Sequence, residues 1–463
     1  MRFFLVTVCV VVVQFVFAQN INIQIYHGKR FDNFSITTHN GKYDVIADDE
    51  LLFRIDEGET VEFSVRRNRI KVRYNDKTQT TSSTITFRGV QQSCYVSVQQ
   101  AQNIFQQREY DNDLYISVRN DSFFIINDVN FEKYIAGVVE AEGGSKAHIE
   151  YYKAQAILCR TYAAKHYTKH LEEGFNLCDG QHCQAYKGRC KYNLSILDAA
   201  LQTAGLVVVD SSRNLISATF YANSGGQTAN SEDVWITALP YLRAVQDTFS
   251  IHGRGFAWEK TIPLADWRSY LVSKGFSLEA YEEYIPYVID TVSITQESEF
   301  EENESKSLFG FFSKDTSSQN VSSTDSLHNR FSDSSHKKAF RVDTMYQKKS
   351  QKNYPVDFMF NQPERKKYFS FRGCDSLLLL RTIRSDWRLR STFFSVRADN
   401  DTVYLSGFGY GHGVGLSQEG AMRMAEHNYT YDQIIKFYFT GVQIMNIRAV
   451  HFYQVESEIE DSE

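Results

Sequence analysis

Residues 130–146 read NFEKYIAGVVEAEGGSK, and they mark the point at which the chain changes from strands to helices. Asn130 is a residue that commonly caps a helix N-terminus, and the apolar residues after it recur every three or four positions. Gly143 and Gly144 follow, and glycine is common where helices end. The stretch therefore predicts a helix that begins at Phe131 and ends at these glycines.

Strands are predicted on the N-terminal side of this helix, from Ile21 to about Ile126, where short alternating runs are separated by turn residues. Alternation of apolar and polar residues with period two predicts the strands of a mostly antiparallel unit. The runs are Asn22–Ile25, Tyr43–Ile46, Leu51–Ile55, Val61–Val65 and Ile70–Val72.

Helices and strands both occur on the C-terminal side. Apolar spacing predicts a longer helix over 148–170, and the runs 205–210 and 217–221 predict further strands. Ser417 is expected to cap a helix that extends to about Asn428. We therefore predict an α+β fold of mostly antiparallel β-rich parts, with an inserted helical segment and a cleft between them.

Length and composition exclude several classes of protein. The chain has 463 residues, of which 42% are hydrophobic and 23% charged, values typical of folded globular proteins. The formal net charge is -6, so there is no basic surplus for a nucleic-acid partner. The length predicts two or three packed units.

The N-terminus has the pattern of a signal peptide. Residues 1–18 carry a positive charge at Arg2, then an apolar run that ends at Ala18. We expect cleavage after Ala18 and an exported protein, either periplasmic or extracellular at the cell surface. An uncleaved anchor is the alternative, because a run of this length almost spans a bilayer.

Six segments are expected along the chain: the signal peptide, a β-rich N-terminal part, a helical and α+β core, a Ser-rich insertion, a C-terminal part with a glycine loop, and an acidic tail. The insertion is expected to be flexible, because it has little apolar periodicity to offset the entropy of ordering. The ranges are 1–18, 19–126, 127–297, 298–350, 351–455 and 456–463.

Glu140 and Glu142 are the first candidates for chemistry. Two positions apart on a helix, their side chains point about 200° apart and cannot serve one cleft, so one of them is expected in solvent. Glu142 stands at the helix exit, where desolvation and the negative end of the helix dipole would raise its carboxyl pKa. A raised pKa suits a general acid. Taken alone, the segment favours an ordinary surface glutamate before a turn.

A metal site is suggested by Cys178, His182 and Cys183, which supply two thiols and an imidazole within six residues. With His170 or His166 from the preceding helix, they would complete the four ligands of a structural zinc ion.

A disulfide is the alternative in an exported protein. Cys9 lies in the signal peptide, and the other six cysteines are an even number. Cys178 would then pair with Cys183 or with Cys190.

Seven motifs, in order, carry a resemblance to a known family. They are Tyr134-Ile-Ala-Gly-Val-Val-x-x-Glu142, Lys153-Ala-Gln-Ala-x-x-x-Arg160-Thr-Tyr-Ala163, Asp179-x-x-His-Cys183-Gln184-Ala-Tyr186-x-Gly188, Ala218-Thr-Phe-Tyr-Ala-Asn-Ser224-Gly225-Gly226-Gln-Thr228, Asp233-Val-Trp235, Pro240-Tyr241-Leu242 and Gly407-Phe-Gly-Tyr-Gly-His412-Gly-Val-Gly-Leu-Ser417-Gln418-Glu-Gly420-Ala421. Together they resemble the stage II sporulation protein D family, which includes the amidase enhancer proteins. They extend from about residue 30 to 450, interrupted by the insertion.

The resemblance implies a lytic transglycosylase that cuts the β-1,4 bond between N-acetylmuramic acid and N-acetylglucosamine in peptidoglycan glycan strands and leaves 1,6-anhydro ends. Glu142 takes the place of the catalytic glutamate, although the family usually has Met-Pro where this chain has Gly143 and Gly144. One carboxyl suffices, because the muramic sugar's own C6 hydroxyl can attack the anomeric carbon.

Other residues of the same motifs are candidates for binding sugar or orienting Glu142. The alternating glycines from 407 to 415 do not have the spacing of a dinucleotide site, so no cofactor is required for the chemistry. They let the main chain approach a sugar. The candidates are Lys153, Gln155, Arg160, Tyr162, Ser224, Gly225, Gly226, His412 and Gln418.

The resemblance also favours zinc at Cys178, His182, Cys183 and His170, since some family members carry zinc near this position. A second function remains open, because a glutamate can be kept for binding alone. The protein would then be a non-catalytic cell-wall module that enhances an N-acetylmuramoyl-L-alanine amidase, with that amidase as its partner. A third, remote reading is an adhesive surface protein.

Overall fold

The fold was analysed in a computed structural model that describes residues 20–81, 84–100, 107–235, 237–277, 360–370, 375–399 and 401–450. The predicted signal peptide, insertion and acidic tail lie outside the described residues, as do Cys9 and Cys374.

Strands dominate the N-terminal part, as the alternating pattern predicts. They are β1 (Asn20–Ile25), β2 (Asn33–Asn40), β3 (Tyr43–Ala47), β4 (Glu50–Ile55), β5 (Thr60–Arg66), β6 (Arg69–Tyr74), β7 (Lys77–Thr81), β8 (Thr84–Gly89), β9 (Tyr95–Gln100), β10 (Arg108–Asp111), β11 (Asp113–Arg119) and β12 (Ser122–Asn130).

The rest of the described chain mixes helices and short strands. The helices are α1 (Phe131–Gly143), α2 (Ile149–Lys165), α3 (Leu194–Gln202), α4 (Ser231–Val234), α5 (Leu264–Ser273), α6 (Leu380–Asp386), α7 (Gln418–Glu426) and α8 (Tyr431–Tyr438). The strands are β13 (Leu177–Cys178), β14 (Leu206–Val209), β15 (Phe220–Tyr221), β16 (Ala257–Pro263), β17 (Tyr368–Phe369), β18 (Leu378–Leu379), β19 (Phe393–Ala398), β20 (Thr402–Phe408), β21 (Leu416–Ser417) and β22 (Gln443–Asn446). Short 3-10 turns occupy Leu171–Glu173, Thr248–Ser250 and Ile447–Ala449.

Two large sheets carry the N-terminal part. One has the strand order β13-β1-β12-β11-β8-β3-β4, and the other has the order β10-β9-β2-β5-β6-β7. Neighbouring strands in both are antiparallel, except that β13 runs parallel to β1. The predicted α+β class with mostly antiparallel sheets is confirmed.

Helix α1 begins and ends where the sequence predicts. The Asn130 side chain accepts hydrogen bonds from the main-chain N–H groups of Glu132 and Lys133, and Gly144 follows the last turn with a φ of 72°. These contacts satisfy free donors at the start of the helix, and a glycine tolerates the positive φ at its end.

Two predicted elements are shorter than expected. Helix α2 ends at Lys165, not near His170, because the following turns bring His170 into the interior against Cys183. Of the strand predicted over 217–221, only β15 forms, and it pairs in parallel with β21.

Two hydrophobic cores organise the described residues. The larger core is shared by the N-terminal strands, the helices α1, α2 and α3, and the C-terminal helices α7 and α8. The smaller core lies between β16, α5, β19, β20 and α6. The boundary predicted near residue 126 falls inside β12, and the domain ranges as a whole stay a prediction. Within the described residues, no helix combines the length and apolarity required to cross a membrane.

The glycine loop crosses the segment 223–226 at close range. Main-chain hydrogen bonds join Asn223 and Tyr410 in both directions, at 3.1 and 2.8 Å. Gly225 has a φ of 71°, and a Cβ atom there would lie 2.6 Å from the carbonyl carbon of Phe408. Glycine is therefore required at this crossing for its conformation and for its lack of a side chain.

We expect Gly225→Ala to lower the free energy of unfolding by about 2 kcal/mol or more, because it adds a clash to an unfavourable φ. Urea denaturation of the purified variant measures the change. Gly58→Ala is the control: Gly58 has a φ of 85° but no heavy atom within 4 Å of a built Cβ. Equal losses in the two variants would show that the crossing imposes no steric requirement.

Candidate active site

Glu142 lies in the last turn of α1, and two contacts from distant parts of the chain hold it. The main-chain N–H of Ala185 donates to Glu142 Oε1 at 2.9 Å. The amide Nε2 of Gln418 donates to the main-chain oxygen of Glu142 at 3.1 Å. This second bond satisfies a carbonyl that the helix end leaves free, so it holds the main chain of the turn in place, while the Ala185 bond holds the side chain.

Burial raises the pKa of the half-buried Glu142 carboxyl, against the opposing effects of the Ala185 N–H and the Lys187 charge. Within the described part of the chain, no arginine or lysine side chain is hydrogen-bonded to Glu142. The carboxyl can therefore hold a proton at a higher pH than an exposed glutamate, which is the property predicted from its position.

The expectation that one of the two glutamates lies in solvent is wrong. Glu140 is also half-buried, and its carboxylate accepts main-chain hydrogen bonds from Lys191, Tyr192 and Asn193 at 2.9–3.1 Å. The thiol of Cys190 donates to the same carboxylate at 3.3 Å. Glu140 therefore anchors the loop before α3.

Two cavities border the end of α1, and their linings include the residues before and after Glu142 but not Glu142 itself. The larger, which we call the exit cavity, has a volume of 900 Å³ and is bounded by residues 143–146, residues 248–254 and the 419–427 side of α7. The smaller, which we call the strand cavity, has a volume of 450 Å³ and lies between β10, one face of α1 and residues 187–192. The strand cavity occupies the expected place between the β-rich part and the helical segment.

Two of the cationic candidates bind within the protein. Lys153 pairs with Glu150 at 2.7 Å, and the same carboxylate accepts the N–H of Tyr431 at the start of α8. Arg160 is 0% exposed; it pairs with Glu132 and donates to the main-chain oxygens of Leu206 and Ala200. A direct substrate contact by Arg160 is incompatible with this burial, so the structure corrects that prediction.

Gln155 and Tyr162 both lie on α2, where Gln155 is buried and Tyr162 is half-buried. Gln155 is 0% exposed and contacts the thiol of Cys159, one helical turn away. Tyr162 packs against His166, and burial with the nearby thiols of Cys178 and Cys183 raises its pKa to about 12. Tyr162 thus lies next to the cysteine cluster. Gln155 is too deeply buried to contact a sugar directly.

Ser224 is also a structural residue. Its hydroxyl is 0% exposed and bonds to Asp247 at 2.8 Å and to Ser250 at 2.6 Å. Gly225 and Gly226, also buried, continue the same network, since the N–H of Gly226 donates to Ser224 Oγ at 3.1 Å. The Ser-Gly-Gly segment forms a tightly bonded crossing, and substrate contact by its buried atoms is not supported.

His412 is held as a neutral imidazole. The N–H of Val414 donates to its Nδ1, so Nε2 carries the hydrogen that is donated to the main-chain oxygen of Phe220 at 3.1 Å. Burial lowers the pKa of His412 to about 4. Both ring nitrogens are engaged, and the ring packs between Tyr221 and Trp235. Of the glycine-loop candidates, Gln418 alone is brought to Glu142.

The predicted metal ligands do come together. The ligand atoms of His170, Cys178, His182 and Cys183 all lie within 4.8 Å of one another. His170 Nε2 is 3.5 Å from Cys183 Sγ, and His182 Nδ1 is 3.9 Å from Cys178 Sγ. Tetrahedral zinc bonds imply ligand separations of about 3.3–3.8 Å, so the donor set fits a zinc ion with only small shifts.

The surroundings of the cluster also suit a metal. His170 Nδ1 donates to the carboxylate of Glu173 at 2.5 Å, which leaves Nε2 directed at the cysteines. A carboxylate partner of this kind commonly orients a zinc-binding imidazole. Cys190 lies outside the cluster, and its thiol donates a hydrogen bond to Glu140. The described cysteines are free thiols.

The sequence patterns missed three residues near the site. Glu419 follows Gln418 in α7 and lines the exit cavity, and Lys187 lies close enough to affect the Glu142 carboxyl. Arg365 donates to the main-chain oxygens of Ser224 and Gln227 and secures the glycine crossing. These positions have no signal in local periodicity, although Glu419 falls inside the quoted glycine-loop motif.

The chain is similar in sequence to several known proteins. Residues 119–209 match the family model described as stage II sporulation protein. An uncharacterized protein of Brachyspira hyodysenteriae is 25% identical over 74% of this chain and 74% of its own length. Stage II sporulation protein D of Bacillus subtilis is 24% identical over 70% of this chain and 77% of its own length.

An amidase enhancer of Bacillus subtilis is 27% identical over 67% of this chain, a match that covers 40% of that protein. The chain is thus similar to proteins named stage II sporulation protein D and amidase enhancer, and part of it matches the stage II sporulation protein model.

The raised pKa of Glu142 predicts a pH effect on stability. The folded protein holds the proton of Glu142 more tightly than the unfolded chain does. The contribution of this proton to the free energy of unfolding is therefore complete below the ordinary pKa of 4.5, and it is lost as pH rises through the folded-state pKa. Glu142→Gln carries no such proton, so between pH 4 and pH 8 we expect it to become more stable relative to the unmutated protein. Each unit of raised pKa is worth about 1.4 kcal/mol.

Urea unfolding at several pH values, compared between the two proteins, measures this difference. Parallel pH profiles would contradict a raised pKa at Glu142.

Proposed function

We propose that this protein is an exported peptidoglycan lytic transglycosylase in which Glu142 is the single acid and base. Similarity to stage II sporulation protein D and to an amidase enhancer supports a cell-wall-related role. The finer proposal is carried by one observation: Glu142 is a half-buried carboxyl with a raised pKa, free of cationic hydrogen-bond partners within the described chain, and the residues on either side of it in sequence line two cavities.

The reaction needs one proton donor that later becomes an acceptor. Protonated Glu142 gives its proton to the glycosidic oxygen of the leaving N-acetylglucosamine as the bond to the muramic C1 breaks. The C6 hydroxyl of the muramic sugar attacks C1, and the Glu142 carboxylate takes the hydroxyl proton. The products are a free 4-hydroxyl and a 1,6-anhydro ring, and Glu142 returns to its protonated state.

The contacts of Glu142 suit this cycle. The Ala185 N–H stabilises the carboxylate that exists between the two proton transfers, while burial favours the protonated form at the start. The bond from Gln418 keeps the helix end in place throughout. Two cavities that border the end of α1 suit a polymer that continues beyond the cleaved bond.

A second candidate function is a non-catalytic module that enhances a cell-wall amidase. The observation that favours it is the similarity to a protein named amidase enhancer. The partner would be an N-acetylmuramoyl-L-alanine amidase, and Glu142 would then serve in glycan binding.

Product analysis distinguishes the two functions. We expect purified protein to release anhydro-terminated fragments from peptide-free glycan strands, and Glu142→Gln to reduce the rate about 10²–10⁴-fold through loss of the proton donor. Mass spectrometry identifies the fragments, and Glu172→Gln, an exposed glutamate on the 171–173 turn, is the control. Equal product from Glu142→Gln would remove Glu142 from its role, and no product from either protein would favour the enhancer.

A structural zinc ion at His170, Cys178, His182 and Cys183 is part of the proposal. When bound, such an ion would link the four ligand residues and stabilise the loop that carries them, and it would take no part in bond cleavage. Cys183, the last residue of the cluster, lies two residues before Ala185, whose N–H donates to Glu142. A zinc ion that holds this loop in place would therefore keep the Ala185 N–H within hydrogen-bonding distance of the Glu142 carboxyl.

Metal analysis tests the cluster. Protein purified without chelator is expected to hold about one zinc per chain, and Cys183→Ser to lose most of it, because a closed zinc site uses all four ligands. Cys190→Ser is the matched control and should keep the metal, since Cys190 bonds to Glu140. Absence of zinc, with Cys178 and Cys183 alkylated only after reduction, would identify a disulfide instead.

A further inference from the structure

A further cavity lies on the N-terminal β-rich part, and it shares no lining residue with the two cavities that border α1. Its volume of 640 Å³ is within the usual range for ligand pockets. It lies on one face of the sheet β10-β9-β2-β5-β6-β7, which we call the outer sheet face. The residues of this face are Asn33 and Ser35 on β2, Glu62, Ser64 and Arg66 on β5, Arg69, Lys71 and Arg73 on β6, Thr78 on β7 and Gln99 on β9.

Strand β6 places a row of cations on this face. Ile70 and Val72 are buried in the larger core, whereas Arg69, Lys71 and Arg73 are exposed on the opposite side of the strand. Residues two positions apart on a strand are about 6.7 Å apart on the same face. The three cations therefore form an evenly spaced line along β6.

The cations of this face are arranged at a cost to the protein itself. Arg66 on β5 stands directly opposite Arg69 on β6, and like charges in such a pair destabilise the sheet. Arg73 pairs with Glu62 at 2.8 Å, but within the described residues no carboxylate forms an ion pair with Arg66, Arg69 or Lys71. An anion bound between these cations would relieve the repulsion.

Protection of a sheet edge does not account for these charges. Charged side chains on an edge strand commonly prevent pairing with another chain. The edge strand here is β7, which contributes Thr78 to the cavity, and the cations lie on β5 and β6 inside the sheet.

The positive charge is local to the outer sheet face. Four cations and one carboxylate, Glu62, occupy the face, in a chain whose formal net charge is -6. The charges around it are those of Asp32, Arg67 and Asp121 near one end of β6, and of Glu59, Asp76 and Lys77 near the other. Four of these six neighbours are carboxylates, so the face attracts an anion placed on it more than an anion at a distance.

The uncharged part of the lining narrows the class of ligand. It consists of the hydroxyls and amides of Asn33, Ser35, Ser64, Thr78, Gln99 and Gln100. Phe34 and Phe63 also line the cavity, but they are only 3% and 2% exposed. They offer no open ring for stacking a nucleic-acid base and little apolar surface for a lipid. Hydroxyls and amides can instead exchange hydrogen bonds with the hydroxyls of a carbohydrate or polyol.

We propose that the outer sheet face binds an anionic, polyhydroxylated polymer, whose phosphate or carboxylate groups pair with Arg66, Arg69 and Lys71. The line of cations along β6 suits a chain that carries a negative charge on successive units, and the hydroxyl and amide lining suits the polyol between those charges. This binding is separate from the chemistry proposed for Glu142. It holds the protein on such a polymer whether or not the protein cleaves glycan.

Calorimetry with defined polymers tests the site. The purified protein is titrated with a glycerol phosphate oligomer and with oligogalacturonate, which differ in the anionic group. We expect binding that weakens as salt is added, because salt screens exposed charges. The tighter of the two identifies phosphate or carboxylate as the preferred group. Dextran, a neutral polyol, should not bind.

A charge-matched pair of variants locates the binding. Arg69→Gln combined with Lys71→Gln should weaken binding about tenfold, the effect of losing two exposed ion pairs. The control combines Arg88→Gln with Arg213→Gln, which removes the same charge from exposed residues outside the six-stranded sheet. Its affinity should equal that of the unmutated protein.

Stability separates a binding role from a structural one. Arg69→Gln removes the like-charge pair with Arg66, so the urea midpoint of this variant should be unchanged or higher while its affinity falls. A lower midpoint with unchanged affinity would assign Arg69 to the structure and overturn the proposal.

The remaining outcomes are also decisive. Failure of both anionic polymers to bind, equal binding of dextran, or equal losses in the two double variants overturns the site. Tighter binding of single-stranded DNA than of either polymer overturns it in favour of a nucleic-acid ligand. None of these results depends on release of anhydro-terminated fragments, so the site and the proposed function can fail separately.

Discussion

The position of Glu142 depends on a pair of hydrogen bonds that no local pattern provides. Ala185 donates to its carboxylate from the loop after the cysteine cluster, and Gln418 donates to its main-chain oxygen from the start of α7. The two donors lie 43 and 276 residues away in sequence. The helix end thus becomes the meeting point of three segments, and the cavities that border it follow from how these segments pack.

Most polar residues of the recognisable motifs maintain this arrangement through contacts within the protein. Arg160 joins α1 to α3 and to the start of β14. Ser224 joins the glycine crossing to Asp247, and His412 bonds to two main-chain groups. Buried polar groups need partners, and these residues find them inside the protein. Most polar motif residues of this protein therefore support the structure around the candidate site, and few of them line it.

The candidate site was predictable where neighbouring residues carry the chemistry. Glu142 lies at a helix exit that Asn130 and two glycines define, and three of the four cluster residues fall within six positions, so both features could be inferred from spacing. The role of Glu140 could not, because it depends on the main-chain N–H groups of a loop about fifty residues away. The same holds for Arg365, which reaches the glycine crossing from beyond the insertion.

The amino-acid sequence by itself determined the kinds of elements: the N-terminal strands, the bounds of α1, the cap at Ser417 and the glutamate at a helix exit. Periodicity, capping and glycine conformations act between residues a few positions apart, so they can be read along the chain. Only the tertiary structure decided which carboxyl is desolvated without a cation, which polar motif residues are buried, and where cavities lie. Burial, charge and hydrogen-bond partners depend on distances between segments remote in sequence, and folding alone sets those distances.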